Sequence, residues 1–216
     1  MVVQYNIKAT AFLITASSRV KMGDKNTAAQ VWARQYLLER RIGEELSEPE
    51  LVVSAPWSEV VRFHTDKGAI YLKTTPERLA LEAPIIEVMQ SEYACHVPTI
   101  VGINTSLHSF LMKDAGVTLR SLLKSNFDTS MACQGIQKFT QWQMDVAHHL
   151  SPLLNLGVPD WRLENIPSIF EGFLRNQVFW EAIAIDEELH HPLMAIVPTI
   201  QALCEKLQSY NIPPSF

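Results

Sequence analysis

A lysine and a glutamate nine positions apart, Lys73 and Glu82, are the residues in this sequence best suited to chemistry. Lys73 follows the apolar run from Ala69 to Leu72, which predicts that it ends a strand, and Glu82 opens a segment with helical character. A lysine ammonium is a point charge on a flexible stem, and it can bind a nucleotide phosphate when a carboxylate holds it in place. The same two residues could equally form an ion pair in water, so their surroundings must decide.

The elements around this pair are predicted to be strands with one helix among them. Asp66-Lys67-Gly68 predicts a tight turn between two strands, because glycine accepts a positive φ angle without a Cβ clash. A helix is predicted over about 82–91, where Pro84 fits the first turn because its missing N–H has no helical partner there. The predicted strands cover about 51–54, 58–64, 69–74, 99–103 and 109–113.

Helices are predicted before and after these strands in the sequence. One covers 27–42 and ends near Gly43, and the chain after Gly116 is predicted to be all helical. These later helices are expected at about 118–124, 131–156, 166–184 with an interruption near Gly172, and 192–207 with a kink at Pro198. The predicted organisation is therefore an N-terminal leader and helix (1–48), a β-rich lobe (49–116) and a helical lobe (117–216).

The N-terminal run ATAFLITA, from Ala9 to Ala16, has a weak signal-peptide outline, but it is short and only one lysine precedes it. A strand or a poorly ordered leader is the preferred interpretation. Translation could start at Met1 or at Met22, and the sequence does not decide between them.

The composition describes an ordinary globular protein. Of its 216 residues 47% are hydrophobic and 19% charged, and the net charge of -5 argues against nonspecific binding to nucleic acid. No segment approaches the ~20 apolar residues of a transmembrane helix, so no membrane partner is expected. Cys95, Cys133 and Cys204 are too few and too widely spaced for a disulfide framework, which fits a reducing, cytoplasmic location.

Several segments, taken in order, resemble a known family. They are TDKGAIYLK, LALEAP, HVPTIVGIN, SFLMKDAGVTLR and LLNLGVPDWRL. Together they resemble the aminoglycoside phosphotransferase and choline kinase family, over about residues 50–210. The resemblance implies an α+β, protein-kinase-like fold of two lobes: a small antiparallel five-stranded lobe with one main helix, then an α-helical lobe. It also implies that ATP and Mg²⁺ are used to phosphorylate a hydroxyl of a small molecule.

Carried over to this sequence, the resemblance makes Lys73 the ligand of the ATP phosphates and Glu82 its partner on the following helix. The loop from Ser54 to Ser58 becomes the lid over the phosphates. Trp57 within it is expected to pack under the lid or against adenine, or else to be a half-buried strand aromatic.

The hinge between the lobes is assigned in the same way to Phe110–Asp114, which includes Met112. The backbone groups of this segment would meet the edge of the adenine. Asp114 could instead simply initiate a turn.

Two departures from the family limit the expected activity. The loop SAPWS contains no glycine, and the catalytic motif H-G-D-x-x-x-x-N is absent from the sequence; His190-His191-Pro192 is the nearest candidate and lacks the aspartate. We therefore expect the chain to stop short of the catalytic loop and to be inactive in phosphoryl transfer as it stands. The alternative is a non-catalytic nucleotide-binding or regulatory module.

A different class of function is suggested by two carboxylate-x-x-histidine pairs, Asp145 with His148 and Glu187 with His190. Such pairs on separate helices can contribute to a di-metal site in a helical bundle. The preferred interpretation is that these carboxylates form ion pairs with the histidines four positions on, because the two further carboxylates of such a site are not at core positions.

Overall fold

The structure is a computed structural model, and it describes residues 17–43, 46–183 and 187–213. The apolar run at 9–16 lies outside these residues. The described chain falls into two compact units, one ending at Trp142 and the other beginning at Gln143, and each is described by itself. The predicted α+β class is confirmed.

The first unit is built on one antiparallel sheet of five strands in the order β1-β2-β3-β5-β4. All five predicted strands are present, with bounds that differ from the prediction by a few residues at most. The strands are β1 (Glu50–Ala55), β2 (Ser58–Thr65), β3 (Gly68–Thr74), β4 (Ile100–Asn104) and β5 (Ser109–Lys113). Because β1, β2 and β3 are joined by two-residue turns, they form consecutive hairpins.

One face of the sheet is buried under α1 (Ser17–Glu39), which starts earlier and ends earlier than the predicted helix at 27–42. Arg41 and Gly43 have φ angles of 52° and 125°, so the chain leaves the helix before Ile42. Small residues at helical spacing let α1 approach the strands closely. The buried core between them consists of Ala29, Ala33, Leu37, Val61, Phe63, Ile70, Leu72 and Leu111.

The opposite face of the sheet is covered only in part. The predicted helix is confirmed as α2 (Glu82–Ser91), and its Ala83 and Ile86 pack on Phe110 of β5. Ile100, Ile103 and Met112 pack around this cluster. Helix α2 therefore covers the β4–β5 side of this face.

The remaining helices differ from the prediction in where they are interrupted. The single helix expected over 131–156 is wrong, because the chain forms α4 (Thr129–His148) and a separate α5 (Ser151–Asn155). Pro152 explains the break, since a proline ring clashes with the carbonyl four residues earlier, here that of His148. Gly172 lies inside α6 (Ile166–Leu174), and the interruption comes at Arg175–Asn176 instead.

The other helices are α3 (Leu119–Ser125), α7 (Gln177–Ile183) and α8 (His190–Gln208), which contains Pro198. In the second unit α6 packs along α8. Helix α4 crosses the boundary between the two units. Within the described ranges, no helix combines the length and the apolar character that crossing a bilayer requires.

Candidate functional site

The structure brings Lys73 and Glu82 together. The Lys73 Nζ atom lies 2.6 Å from Oε1 and 2.6 Å from Oε2 of Glu82, so the ammonium contacts both carboxylate oxygens. The side chains are 16% and 32% exposed, which separates this pair from a fully solvated surface contact. Lys73 and Glu82 therefore form a partly buried ion pair, in which both carboxylate oxygens hold the ammonium.

The neighbouring elements explain why the pair forms. Lys73 is the penultimate residue of β3 and lies opposite Phe110 of β5. Phe110 is buried beneath Ala83 of α2, so the first turn of α2 is anchored beside the end of β3. Glu82 is the first residue of that helix, where the helix dipole favours a negative charge.

Cross-strand pairing places the Lys73 side chain in a row that runs across the sheet. Directly opposite residues of antiparallel strands project from the same face, and residues two apart along a strand do so as well. We call the first row the lysine row: Val53, Val60, Lys73, Phe110 and Ile103. The next row on the same face, the tyrosine row, is Glu50, Arg62, Tyr71, Met112 and Ile100.

The tyrosine row contains a polar network centred on Arg62. Its Nε and Nη2 atoms donate to Glu50 Oε2 at 3.1 and 2.6 Å, and Tyr71 lies directly opposite Arg62 on β3. The contact with Glu50, and then that with Tyr71, raise the pKa of Arg62. The hydrogen bond from Arg62 lowers the pKa of Glu50, whose Oε2 also lies 3.4 Å from Nε2 of His64. Arg62 and Tyr71 were not predicted to lie near the site, although the two-residue spacing of Tyr71 and Lys73 places both on one face of a strand.

The expected lid is reduced to a two-residue turn. Ser54 and Ser58 belong to β1 and β2, and only Pro56 and Trp57 lie between the strands. Trp57 is 42% exposed. The turn is at the same end of the sheet as Lys73, because Lys73 pairs with Val60 near the start of β2.

The expected hinge residues divide between the sheet and the loop that follows it. Phe110 is buried and Met112 half-buried within β5, which is paired on one side with β3 and on the other with β4. Because both neighbours are occupied by strands, the backbone at Phe110 and Met112 faces the sheet rather than a ligand. Asp114 is exposed, and its Oδ1 accepts a hydrogen bond of 2.8 Å from the Gly116 N–H. The chain leaves the sheet only after Lys113.

The carboxylate-x-x-histidine pairs do not gather into a metal centre in the part of the chain that the structure describes. His190 Nε2 lies 2.9 Å from the Leu174 carbonyl oxygen, and its ring packs edge-on against Trp180 with centroids 5.1 Å apart. Among the described residues there is no group of three or more histidine, cysteine, aspartate and glutamate side chains that could hold a metal ion.

Comparison with solved structures relates this chain to an aminoglycoside 2'-phosphotransferase-IIIa, whose wild-type form was solved as a GDP complex. The TM-score is 0.51 at 12% sequence identity, and the match covers 79% of this chain and 58% of that chain. No protein-family model matches the sequence, and no curated protein is found to be similar to it. A likeness at this identity shows the fold alone. The sheet, its helices and this likeness together show a protein-kinase-like α+β fold.

Proposed function

We propose that this chain binds a purine nucleoside triphosphate on the partly open face of its sheet, as the nucleotide-binding portion of a small-molecule phosphotransferase. The observation that carries the proposal is the contact of Lys73 with both carboxylate oxygens of Glu82. A lysine held in this way presents a fixed positive charge at the strand end, where the α- and β-phosphates would bind.

The residues around Lys73 fit such a ligand. Helix α2 covers Phe110 and its neighbours, whereas Val60 and Tyr71, on the β2–β3 side of the same face, are half-buried. A half-buried apolar surface beside one fixed cation suits a molecule with a flat base at one end and phosphates at the other. The related solved structure holds GDP, which makes GTP a candidate alongside ATP.

Trp57 and the backbone after Lys113 complete the proposed site. The Pro56–Trp57 turn lies near the end of β3 and is proposed to approach the phosphates. The base edge is proposed to meet the backbone of Asp114–Gly116 rather than that of Phe110 and Met112, which lie within β5.

For Mg²⁺, the ligands are proposed to come from the nucleotide. No group of three metal-binding side chains forms among the described residues, and the family's catalytic asparagine and aspartates have no counterpart motif in the sequence. We propose that Mg²⁺ is bound through the nucleotide phosphates alone, and we assign no step of a reaction to it.

Transfer of the γ-phosphate to a small-molecule hydroxyl requires a base and metal ligands in addition to Lys73. Because the 216 residues contain no H-G-D tripeptide, we propose that this chain binds nucleotide but does not by itself transfer phosphate. Production of ADP from Mg·ATP, with and without hydroxyl acceptors, is expected to stay at the level of a protein-free control. Turnover abolished by Lys73→Met would contradict this part of the proposal.

Calorimetric titration with Mg·ATP and Mg·GTP tests binding itself. Lys73→Met is expected to weaken binding about tenfold or more, and Glu82→Gln to weaken it less, because the lysine then keeps its charge but loses its position. Lys138→Met on α4 and Glu87→Gln on α2 are matched controls, since both side chains are exposed. No binding at millimolar nucleotide, or equal effects of Lys73→Met and Lys138→Met, would overturn the proposal.

A further inference from the structure

We infer that a second copy of this chain binds along the exposed side of α8, so that the two α8 helices pair in antiparallel orientation. The inference concerns a surface of the second unit, and it does not depend on nucleotide binding.

Helix α8 carries two apolar faces. The first faces α6, where Val197 and Cys204 line the cleft between the two helices and Cys204 is 7% exposed. The second lies about 100° around the helix, at the 3.6 residues per turn of an α-helix. We call it the α8 stripe, and its members follow one another at alternating spacings of four and three residues: Leu189, Leu193, Ile196, Ile200, Leu203 and Leu207. This spacing is that of the a and d positions of a coiled coil, so the stripe suits a helix as its binding partner.

The α8 stripe is exposed to solvent along most of its length. Four of its six members are 42–54% exposed, namely Leu189, Ile196, Leu203 and Leu207. The other two, Leu193 and Ile200, lie nearer α6 and are half-buried. A surface helix usually presents polar residues opposite its buried face, so a continuous aliphatic row there is typical of a protein–protein interface.

The order of residue types in the stripe identifies a second copy as the occupant. The stripe is Leu-Leu-Ile-Ile-Leu-Leu, which is the same from either end. In an antiparallel pair with a two-fold axis near Pro198, its members meet in layers of like residues: Leu189 with Leu207, Leu193 with Leu203, and Ile196 with Ile200. Pro198 lies on the opposite side of the helix from the stripe, so its ring does not interrupt these layers.

The charges of α8 favour the same arrangement. The flank of the stripe that faces away from α6 carries the small exposed residues Ala195, Thr199 and Ala202, and Lys206 is its one lysine, arginine or carboxylate residue. In the antiparallel pair Lys206 lies beside Pro192 of the second copy rather than beside a second lysine. Each helix also places its positive N-terminal end beside the negative C-terminal end of the other, whereas a parallel pair would align like ends.

The area of the stripe is sufficient for a weak dimer. The stripe runs along about 27 Å of helix. With its small flank it would remove roughly 500–600 Å² per copy from water, which puts the pair at the lower end of the range for specific interfaces. We therefore expect a dissociation constant in the micromolar range.

Sedimentation velocity of the full chain, from about 1 to 100 μM, tests the association. The wild-type chain is expected to shift from monomer to dimer over this range. Leu203→Glu and Leu207→Glu are each expected to raise the dissociation constant about tenfold or more, because the dimer would then bury two carboxylates against leucine. Ile136→Glu on α4 is the matched control, since Ile136 is 66% exposed and lies outside the stripe, and its dissociation constant should stay unchanged.

A mixing experiment tests the antiparallel register. Leu207→Glu chains mixed with Leu189→Lys chains are expected to form a heterodimer, because the new carboxylate then faces the new ammonium across one layer. Neither variant alone should dimerise as well as the mixture. A parallel pair would place each new charge opposite leucine and would give no recovery. Recovery in the mixture also shows that both variants are folded, which circular dichroism checks independently for Leu203→Glu.

Three results would overturn the inference. The first is a wild-type chain that stays monomeric at about 100 μM. The second is a dimer that Leu203→Glu and Leu207→Glu leave intact, or that Ile136→Glu weakens as much as they do, because the contact would then lie on another surface. The third is the absence of a heterodimer from the mixture of Leu207→Glu with Leu189→Lys, which would exclude the antiparallel pairing.

Discussion

The ring of Tyr36 on α1 occupies the space that a β-carbon would take at Gly102 on β4. A Cβ atom built at Gly102 would lie 2.6 Å from Cζ of Tyr36, and the Tyr36 hydroxyl donates a hydrogen bond of 3.1 Å to the Val101 carbonyl oxygen. The hydrogen bond holds the Tyr36 ring at its tip, and the close contact leaves no room for a side chain at Gly102. This contact therefore joins α1 to β4, an edge strand of the sheet.

We therefore expect Gly102→Ala to lower the free energy of unfolding by about 1–3 kcal/mol, the usual range for overpacking. Denaturant unfolding measures this change in the free energy of unfolding. Combining Gly102→Ala with Tyr36→Ala should give a loss smaller than the sum of the two single losses, because the clash is then relieved. Gly172→Ala on α6 is the control: no atom lies within 4 Å of the new Cβ, and alanine is favoured over glycine in a helix by about 1 kcal/mol. A neutral Gly102→Ala variant would contradict the tight contact.

The pair of Lys73 with Glu82 is expected to contribute to stability as well as to binding. Because the Lys73 side chain is only 16% exposed, Glu82→Gln leaves a poorly solvated ammonium without its carboxylate and should destabilise the chain by about 1–2 kcal/mol. A double-mutant cycle of Lys73→Met with Glu82→Gln should give a coupling energy of about 1 kcal/mol. The cycle of Lys138→Met with Glu87→Gln, two exposed residues on different helices, should give about zero. Equal coupling energies in the two cycles would show that Lys73 and Glu82 are not energetically coupled.

In the second unit, the pair of Asp160 with Arg162 is expected to make an acid-sensitive contribution to the free energy of unfolding. Hydrogen bonds from the Arg162 side chain lower the pKa of Asp160 from its ordinary value of 3.8 to about 2. The unfolded chain therefore takes up this proton at a higher pH than the folded chain does. The stability that the pair contributes is fully present above pH 3.8 and is lost as the pH falls through about 2.

Urea unfolding at pH 5 and at pH 2.5 checks this sign. Asp160→Asn should remove this part of the loss of stability between pH 5 and pH 2.5. Arg162→Gln should raise the pKa of Asp160 towards its ordinary value, and carboxyl NMR shifts follow that pKa. An unchanged pKa in Arg162→Gln would show that the guanidinium is not its cause.

Asn26 on α1 is expected to stabilise the start of β2. Its Nδ2 donates a hydrogen bond of 2.7 Å to Oε2 of Glu59, and Asn26 is 9% exposed. Asn26→Ala removes a charge-assisted hydrogen bond and should destabilise the chain by about 1–2 kcal/mol. Gln35→Ala is the matched control, because Gln35 makes an exposed amide–carboxylate contact with Glu39 on the same helix, and its effect should stay within about 0.5 kcal/mol. Similar losses of stability in Asn26→Ala and Gln35→Ala would show that the Asn26 hydrogen bond contributes no more than an exposed contact.

Local sequence patterns were sufficient for the strands and for the position of α2. Alternating and β-branched apolar residues, the turn at Asp66-Lys67-Gly68 and the tolerance of Pro84 in a first helical turn are all effects of near neighbours along the chain. The interruption after His148 depends on a clash between Pro152 and the carbonyl four residues earlier, and it was not predicted although Pro152 is present in the sequence. The early end of α1 was also missed, because it depends on left-handed backbone at Arg41, a residue that rarely adopts it.

The sequence by itself determined the two charged residues of the candidate site, their spacing and the elements that carry them, because residue type and periodicity are local properties. Only the tertiary structure decided that the Lys73 ammonium touches both oxygens of Glu82, since that contact depends on Phe110 anchoring α2 beside β3. It also decided that Phe110 of β5 lies opposite Lys73 of β3. Cross-strand register joins residues distant in sequence, and it is set by packing of the whole sheet against α1 and α2 rather than by any one strand.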